Sequence, residues 1–320
     1  MTCLVTGCAG FIGSHLSERL LADGHRVAGV DCFTDYYARP VKERNLAPAK
    51  NHPHFTFHDT DLSADRLADA VAGADVVFHL AGMPGLNRSW TDFDGYARHN
   101  LTATQRLLDA VKAAGGVRKF VYVSTSSVYG RYASGDEMLP TRPSSPYGVT
   151  KLAGENLARV YHDEFGVPTV VLRYFSVYGP RQRPDMGYHL FIDAVLKGNP
   201  IKLTGDGLQV RGNTYVSDCV DATIAAGMHA LPGETFNVGG GELTTVIDVI
   251  RKIERIAGRP AIIERHPNRK GDQIATGADV GKLARHLGWK PTTSLDEGLA
   301  EQIAWQRAAL RTPAKTRAAA

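Results

Sequence analysis

Through the first 175 residues, short unbroken apolar runs alternate with longer segments that repeat apolar residues every three or four positions. The runs Cys3–Thr6, Arg26–Asp31, Phe55–Phe57, Asp75–Leu80, Lys119–Ser124 and Thr169–Arg173 predict strands. The periodic segments Phe11–Leu21, Ala64–Val71, Asp94–Ala114 and Pro146–Phe165 predict helices. The strands are apolar at consecutive positions rather than at every second one, so both faces must be covered. That is the signature of a doubly wound α/β domain built on a parallel sheet.

The rhythm breaks after Arg173. Pro180–Tyr188 reads as a polar loop, Phe191–Lys197 as a short helix, Leu203–Asn213 as Gly-rich, and Leu243–Ala257 as a further helix. Tyr215–Met228 and Phe236–Val238 read as returns to the main sheet. The expected organisation is a nucleotide-binding domain over residues 1–175 plus about 214–240. A smaller interleaved C-terminal substrate lobe takes about 176–213 and 241–307, and 308–320 form a disordered tail.

Composition narrows the class. The 320 residues carry 37 Lys+Arg against 33 Asp+Glu, a net charge of +4 that is too small to imply nucleic acid. Hydrophobic residues at 43% and charged residues at 22% are ordinary for a globular chain. No apolar stretch is long enough to span a membrane. Met1 leads directly into the first strand without a signal-like segment, and Cys3, Cys8, Cys32 and Cys219 form no C-x-x-C pair. These features predict free thiols in the cytoplasm and no metal site.

The glycines Gly7, Gly10 and Gly13 sit between the first strand and the first helix, with Phe11 and Ile12 among them. One glycine permits a tight turn, one lets backbone N–H groups approach a pyrophosphate, and one lets helix and strand pack closely. The helix N-terminus adds unpaired donors and partial positive charge. Asp31 ends the second strand, where a carboxylate accepts from ribose hydroxyls and repels a 2′-phosphate. No arginine follows it directly, which favours NAD over NADP. Asp61 and Leu62, beyond the third strand, are candidates for the adenine.

Tyr147 and Lys151 are four residues apart and so share one helix face. An ammonium and an oxidised nicotinamide nearby would favour phenolate, and phenolate can take the proton of a sugar hydroxyl. Ser124 and Thr125 close the fifth strand, at the end where open parallel sheets bind ligands. His79 ends a strand and reads as a core residue.

These residues carry a resemblance. With Leu80-Ala81-Gly82, Asn100, Arg173–Arg181, Gly205-Asp206-Gly207 and Arg211, the chain resembles the extended short-chain dehydrogenases/reductases, Rossmann-fold enzymes of nucleotide sugars, over about residues 2–305. The resemblance implies bound NAD held partly by Leu80, Ala81, Gly82, Asn100 and Ser124. It implies Tyr147, Lys151 and Thr125 as the catalytic set. It further implies Arg211 and Arg269 on a UDP diphosphate, Asp272 on the uridine ribose, and a homodimer built on the two long helices. Physically, arginine forks suit phosphate oxygens and a carboxylate suits a vicinal diol.

Family dehydratases carry an Asp-Glu pair after the catalytic threonine, and decarboxylases a glutamate; Ser126 and Ser127 stand there instead. That leaves 4-epimerisation. The segments Thr125–Ser127 and Pro180–Met186 most resemble the UDP-glucuronate 4-epimerases, in which small hydroxyls, here with Ser176, can hold a sugar carboxylate opposite Arg183. The family usually has arginine at the position of Asn87, whereas here Arg88 stands one residue later as the candidate. The alternatives are a 4-epimerase of UDP-glucose or UDP-N-acetylglucosamine, a UDP-glucuronate decarboxylase or dehydratase, and a module that binds NAD without turnover.

Overall fold

The computed structural model describes residues 1–267 and 272–311. Seven parallel strands form the main sheet: β1 Thr2–Thr6, β2 Arg26–Asp31, β3 Phe55–Asp59, β4 Val76–His79, β5 Lys119–Thr125, β6 Thr169–Tyr174 and β7 Thr235–Val238. Their order is β7-β6-β5-β4-β1-β2-β3. The direction of winding reverses between β1 and β4, and that switch opens a crevice at the strands' carboxyl ends.

Burial on both faces follows from the apolar runs. In β1, Cys3 and Val5 join one core while Leu4 joins the other. The first core lies under helices Phe11–Ala22, Arg39–Lys50 and Val216–His229. The second lies under Ala68–Val71, Ala103–Ala114 and Pro146–Phe165. Each fully buried leucine or phenylalanine contributes about 2 kcal/mol. A third core, containing Tyr178, Ile192, Ile250, Leu299 and Ile303, forms in the C-terminal half. A four-stranded sheet orders Leu243–Thr245, Val210–Gly212, Ala275–Ala278 and Tyr132–Gly135 side by side.

Several expectations change. Arg39–Lys50 is a helix, not a loop; it is mostly polar, with Pro40 in its first turn and Pro48 near its end, so no apolar stripe announces it. The expected helix Ala64–Val71 is cut to Ala68–Val71, because the chain around Asp61–Asp65 turns on the Asp61 carbonyl and side chain. The long helix is divided: Phe93–Ala97, a π turn at Arg98–Thr102, then Ala103–Ala114. Tyr215–Met228 does not rejoin the sheet. It is helix Val216–His229 lying over a face, and only Thr235–Val238 enters, beside β6. Helix Gly187–Lys197 starts before Phe191, and Leu243–Thr245 is strand before helix Val246–Ala257 begins.

Among the described residues no helix is long and apolar enough to cross a membrane. Cys3, Cys8 and Cys219 are buried and Cys32 half-buried, all as free thiols. The C-terminal helix runs Leu295–Arg311, so the expected tail from 308 begins as helix; 312–320 lie outside the described residues.

Candidate active site

The turn after β1 is as compact as its glycines allow. Gly7 has φ +72° and donates to Val30 O at 2.7 Å. A Cβ on Gly13 would lie 2.2 Å from Gly7 O, so no larger residue fits without displacing the turn. Gly10 caps helix Phe11–Ala22 without a side chain, and no acidic residue occupies the first turn. The helix therefore keeps backbone N–H groups and partial positive charge for an anion. Asp31 accepts from Phe33 N–H at 2.8 Å and from Ala9 N–H at 3.2 Å, which fixes its carboxylate at the rim. Burial pushes its carboxyl up, against Lys42 and those two N–H groups.

A cleft of about 420 Å³ runs from this turn across the sheet. It brings together Gly7, Gly10, Phe11, Ile12, Gly13, Asp31, Asp61, Leu62, Leu80, Ala81, Gly82, Ser124, Thr125, Ser126, Ser127, Tyr147, Lys151, Ser176 and Arg183.

Helix Pro146–Phe165 is started by Ser145, whose Oγ accepts Gly148 N–H at 3.1 Å, and Pro146 pre-sets its first turn. It lies unusually close to β5 and the turn beyond. A Cβ on Gly148 would come 2.7 Å from Ser127 O, and one on Gly154 would come 2.1 Å from the Tyr122 hydroxyl. This approach sets Tyr147 against Thr125, whose hydroxyl hydrogen-bonds the phenol. Burial pushes the Tyr147 phenol up, while Thr125 and the Arg183 guanidinium pull it down. The sequence pointed to Lys151 for that downward pull, but the groups that supply it here are Thr125 and Arg183. Burial lowers the Lys151 ammonium to about 8, opposed by Glu155, and the ammonium lies 4.4 Å from the Tyr122 ring centre.

Asn100 does not line the cleft. From the π turn its Oδ1 accepts Met83 N–H at 2.6 Å, and its Nδ2 donates to Met83 O and Thr150 Oγ1 at 3.0 Å. It thereby holds the segment after β4 in place. Its Oδ1 would be 2.7 Å from a Cβ on Gly82. Ser126 pairs with Gln273 across the cleft, Oγ to Oε1 at 3.4 Å. Ser176 Oγ lies 3.4 Å from Thr276 Oγ1.

Arg88 is not brought to the sugar end. It is engaged by Asp92 at 3.1 Å and Asp35 at 3.3 Å, and it lines a neighbouring hollow. Arg211 donates to Gln273 O at 2.8 Å and feels the charge of Asp272. Neither Arg211 nor Asp272 lines the main cleft, and Arg269 lies outside the described residues. His79 is fully buried between Thr6 Oγ1 at 2.8 Å and Thr104 Oγ1 at 3.0 Å, and burial lowers it to about 3. Cys32, Asp61 and His99 place possible ligand atoms within 4.8 Å of one another, but Arg98 already holds Asp61 at 2.7 Å.

Sequence reasoning missed Tyr36, Tyr37, Lys42, Met186 and Gln273, which also line the cleft. The signal for the tyrosines was the Phe33–Tyr37 stretch of aromatic and polar residues between β2 and the unrecognised helix. Phe33 turns there at φ +50°.

A doubly wound parallel sheet, a glycine turn under the first helix and a Tyr–Lys helix facing it define a dinucleotide-binding α/β protein of the short-chain dehydrogenase/reductase kind. The chain belongs to the NAD dependent epimerase/dehydratase family, whose model matches residues 3–239. It is 46% identical over 309 residues to an uncharacterized UDP-glucose epimerase, YtcB, of Bacillus subtilis (strain 168), covering 95% of this chain and 98% of that one. It is 36% identical to a UDP-glucuronate 4-epimerase of Thermodesulfobacterium geofontis (strain OPF15), covering 95% of both. The crystal structure of UDP-glucuronic acid 4-epimerase from Bacillus cereus, in complex with UDP-glucuronic acid and NAD, superposes with a TM-score of 0.94. It is 41% identical, covering 97% of this chain and 100% of that one.

Proposed function

We propose that the protein catalyses NAD-dependent 4-epimerisation of a UDP-sugar, interconverting UDP-glucuronate and UDP-galacturonate. The observation that carries this reading is the single cleft that joins the glycine turn to Thr125, Tyr147 and Lys151, with Ser126 and Ser127 where an acid would serve elimination. The Bacillus cereus and Thermodesulfobacterium relatives support the choice of sugar.

The turn fits the cofactor: any Cβ at Gly13 would push the turn's own backbone out of place, the helix N-terminus offers donors, and Asp31 stands at the rim as a carboxylate for a ribose. The chemistry that bound NAD would supply there is a reversible acceptor for the hydride of the sugar C4–H bond. Tyr147 takes the C4 hydroxyl proton as the carbonyl forms and gives it back as the carbonyl is reduced. Thr125, hydrogen-bonded to the phenol, shares that proton's path. Lys151 supplies positive charge beside the site. Arg211, Arg269 and Asp272 are read as contacts to the nucleotide half of the substrate, and Asn100 as a support of the cofactor wall.

A 4-keto glucuronate is a β-keto acid, which loses CO2 when the breaking bond aligns with the carbonyl π system. Ser126, Ser127, Ser176 and Arg183 all line the cleft and are read as the groups that hold that carboxylate near the carbonyl plane, which suppresses the loss. A second reading, UDP-glucose 4-epimerisation, is favoured by the name borne by the Bacillus subtilis relative.

The same reading makes the enzyme a homodimer through Ala103–Ala114 and Pro146–Phe165; Val149, Val160 and Phe165 stand about half exposed on the latter. A nucleotide-sugar substrate and free thiols suit the cytoplasm.

The test is proton NMR of the anomeric region after incubation with UDP-glucuronate, UDP-glucose or UDP-xylose. UDP-galacturonate from UDP-glucuronate is expected. Faster conversion of UDP-glucose moves the assignment to the second reading, a UDP-pentose product means decarboxylation, and no product from any sugar ends the epimerase reading.

A further inference from the structure

Arg183 reaches the cleft already paired. Its Nε donates to Asp185 Oδ1 and its Nη2 to Asp185 Oδ2, both at 3.0 Å. The pair belongs to one short turn: Met186 N–H donates to Arg183 O at 3.1 Å. Arg183 lines the cleft, and Asp185 does not. One edge of the guanidinium is therefore spent on Asp185, which leaves the N–H groups of Nη1 and the second N–H of Nη2 for other partners. Asp185 is also tied across the cleft mouth, where the Tyr36 hydroxyl donates to its Oδ2 at 3.4 Å. The Tyr36 ring lies 5.5 Å from the Arg183 guanidinium. The side chains of Arg183 and Asp185 are 18% and 38% exposed, so the pair is screened by water only in part.

We propose that Asp185 is a specificity-setting residue: it aims Arg183 at the sugar and cancels most of its charge, so that the pocket accepts neutral and carboxylate-bearing UDP-sugars with similar affinity. The proposal rests on the reading of the cleft as a UDP-sugar epimerase site and deepens it. An unpaired guanidinium would hold a sugar carboxylate tightly and would gain little from a hydroxymethyl group. A guanidinium neutralised by its own chain contributes hydrogen bonds to either. Asp185 makes no contact with the sugar in this account and acts through Arg183.

The experiment measures calorimetric dissociation constants of UDP-glucuronate and UDP-glucose on NAD-loaded protein, wild type against Asp185→Asn and Asp185→Glu. Retained NAD reports an intact fold. In Asp185→Asn the preference for UDP-glucuronate over UDP-glucose should rise by about threefold or more, as expected for exposing one partly screened charge. Asp185→Glu, which keeps the charge, should stay below that rise. Should Asp185→Asn lose its NAD, Asp185→Ser carries the same expectation. A preference that rises less than threefold on the neutral variant, or that falls, overturns the proposal. Wild-type protein that binds both sugars but converts neither would refute the epimerase reading while leaving this ratio measurable.

Discussion

Glu155 meets Arg173 inside the fold, with Arg173 Nε at 3.0 Å and Nη2 at 2.8 Å from its two carboxylate oxygens. The side chains are 0% and 3% exposed. Glu155 also receives the Ser124 hydroxyl, and Arg173 reaches the Tyr129 hydroxyl at 2.7 Å. The pair thus joins the helix of Tyr147 and Lys151 to the ends of β5 and β6. Removing one partner strands a buried charge, which costs about 3–5 kcal/mol. Glu155→Gln and Arg173→Met should each show that loss in urea denaturation. The double variant should lose clearly less than the sum, and additive losses would rule out the coupling.

Gly13→Ala places a methyl 2.2 Å from Gly7 O. The turn must open to admit it, and the backbone N–H groups move off the pyrophosphate. Cofactor retention, measured by releasing bound nucleotide from the purified variant, should drop by about tenfold or more. Retention equal to wild type would show that this turn does not cradle the cofactor.

Tyr147→Phe should cut turnover by about a hundredfold to ten-thousandfold, the usual contribution of a positioned acid–base group, with cofactor retention unchanged. The Lys151 ammonium titrates at about 8 in the folded protein. Turnover should therefore fall as pH rises through that value, provided the positive charge is needed. Lys151→Arg stays charged across the range, so its profile should lack that limb even if its plateau is low. A limb that persists in the variant would belong to another group.

His79 titrates at about 3 in the fold against 6.5 ordinarily. Between those values the unfolded chain takes up a proton that the folded chain refuses. Stability from this group is therefore complete above pH 6.5 and is lost as pH falls toward 3, by about 1.4 kcal/mol per pH unit. Urea unfolding of wild type and His79→Gln at pH 7 and pH 5 checks it: the wild type should lose more between the two.

The strand Arg26–Asp31 and the helix Pro146–Phe165 follow the sequence pattern to the residue, because each has an unambiguous boundary: a carboxylate closing an apolar run, and Ser-Pro opening a helix that Gly166 closes at φ +69°. Arg39–Lys50 escaped because it packs only Leu46, Ala49 and the stems of polar residues, so no stripe marks it. The π turn at Asn100 escaped because its extra residue shows in the sequence only as a one-position slip in the apolar spacing, which the short segments on either side do not make distinct from ordinary irregularity. The place of Gly13 and Tyr147 in the cleft was legible because a glycine turn after the first strand and a Tyr–Lys spacing on a helix leave few other positions for them. Gln273 and Tyr36 were not, because their place in the cleft depends on how distant segments cross. Arg88 shows the converse: a plausible charge at nearly the right position is captured by Asp35 and Asp92.

Gly148 and Gly154 leave the helix of Tyr147 no slack against β5 and its turn. A side chain seated that firmly cannot swing from one side of a sugar ring to the other. In the epimerisation proposed above the protein is then the stator, and the oxidised sugar pivots on its diphosphate tether inside the walls. Room left unfilled around the ring is accordingly part of the machinery, and a substitution that merely packed this space better would be expected to arrest the cycle halfway.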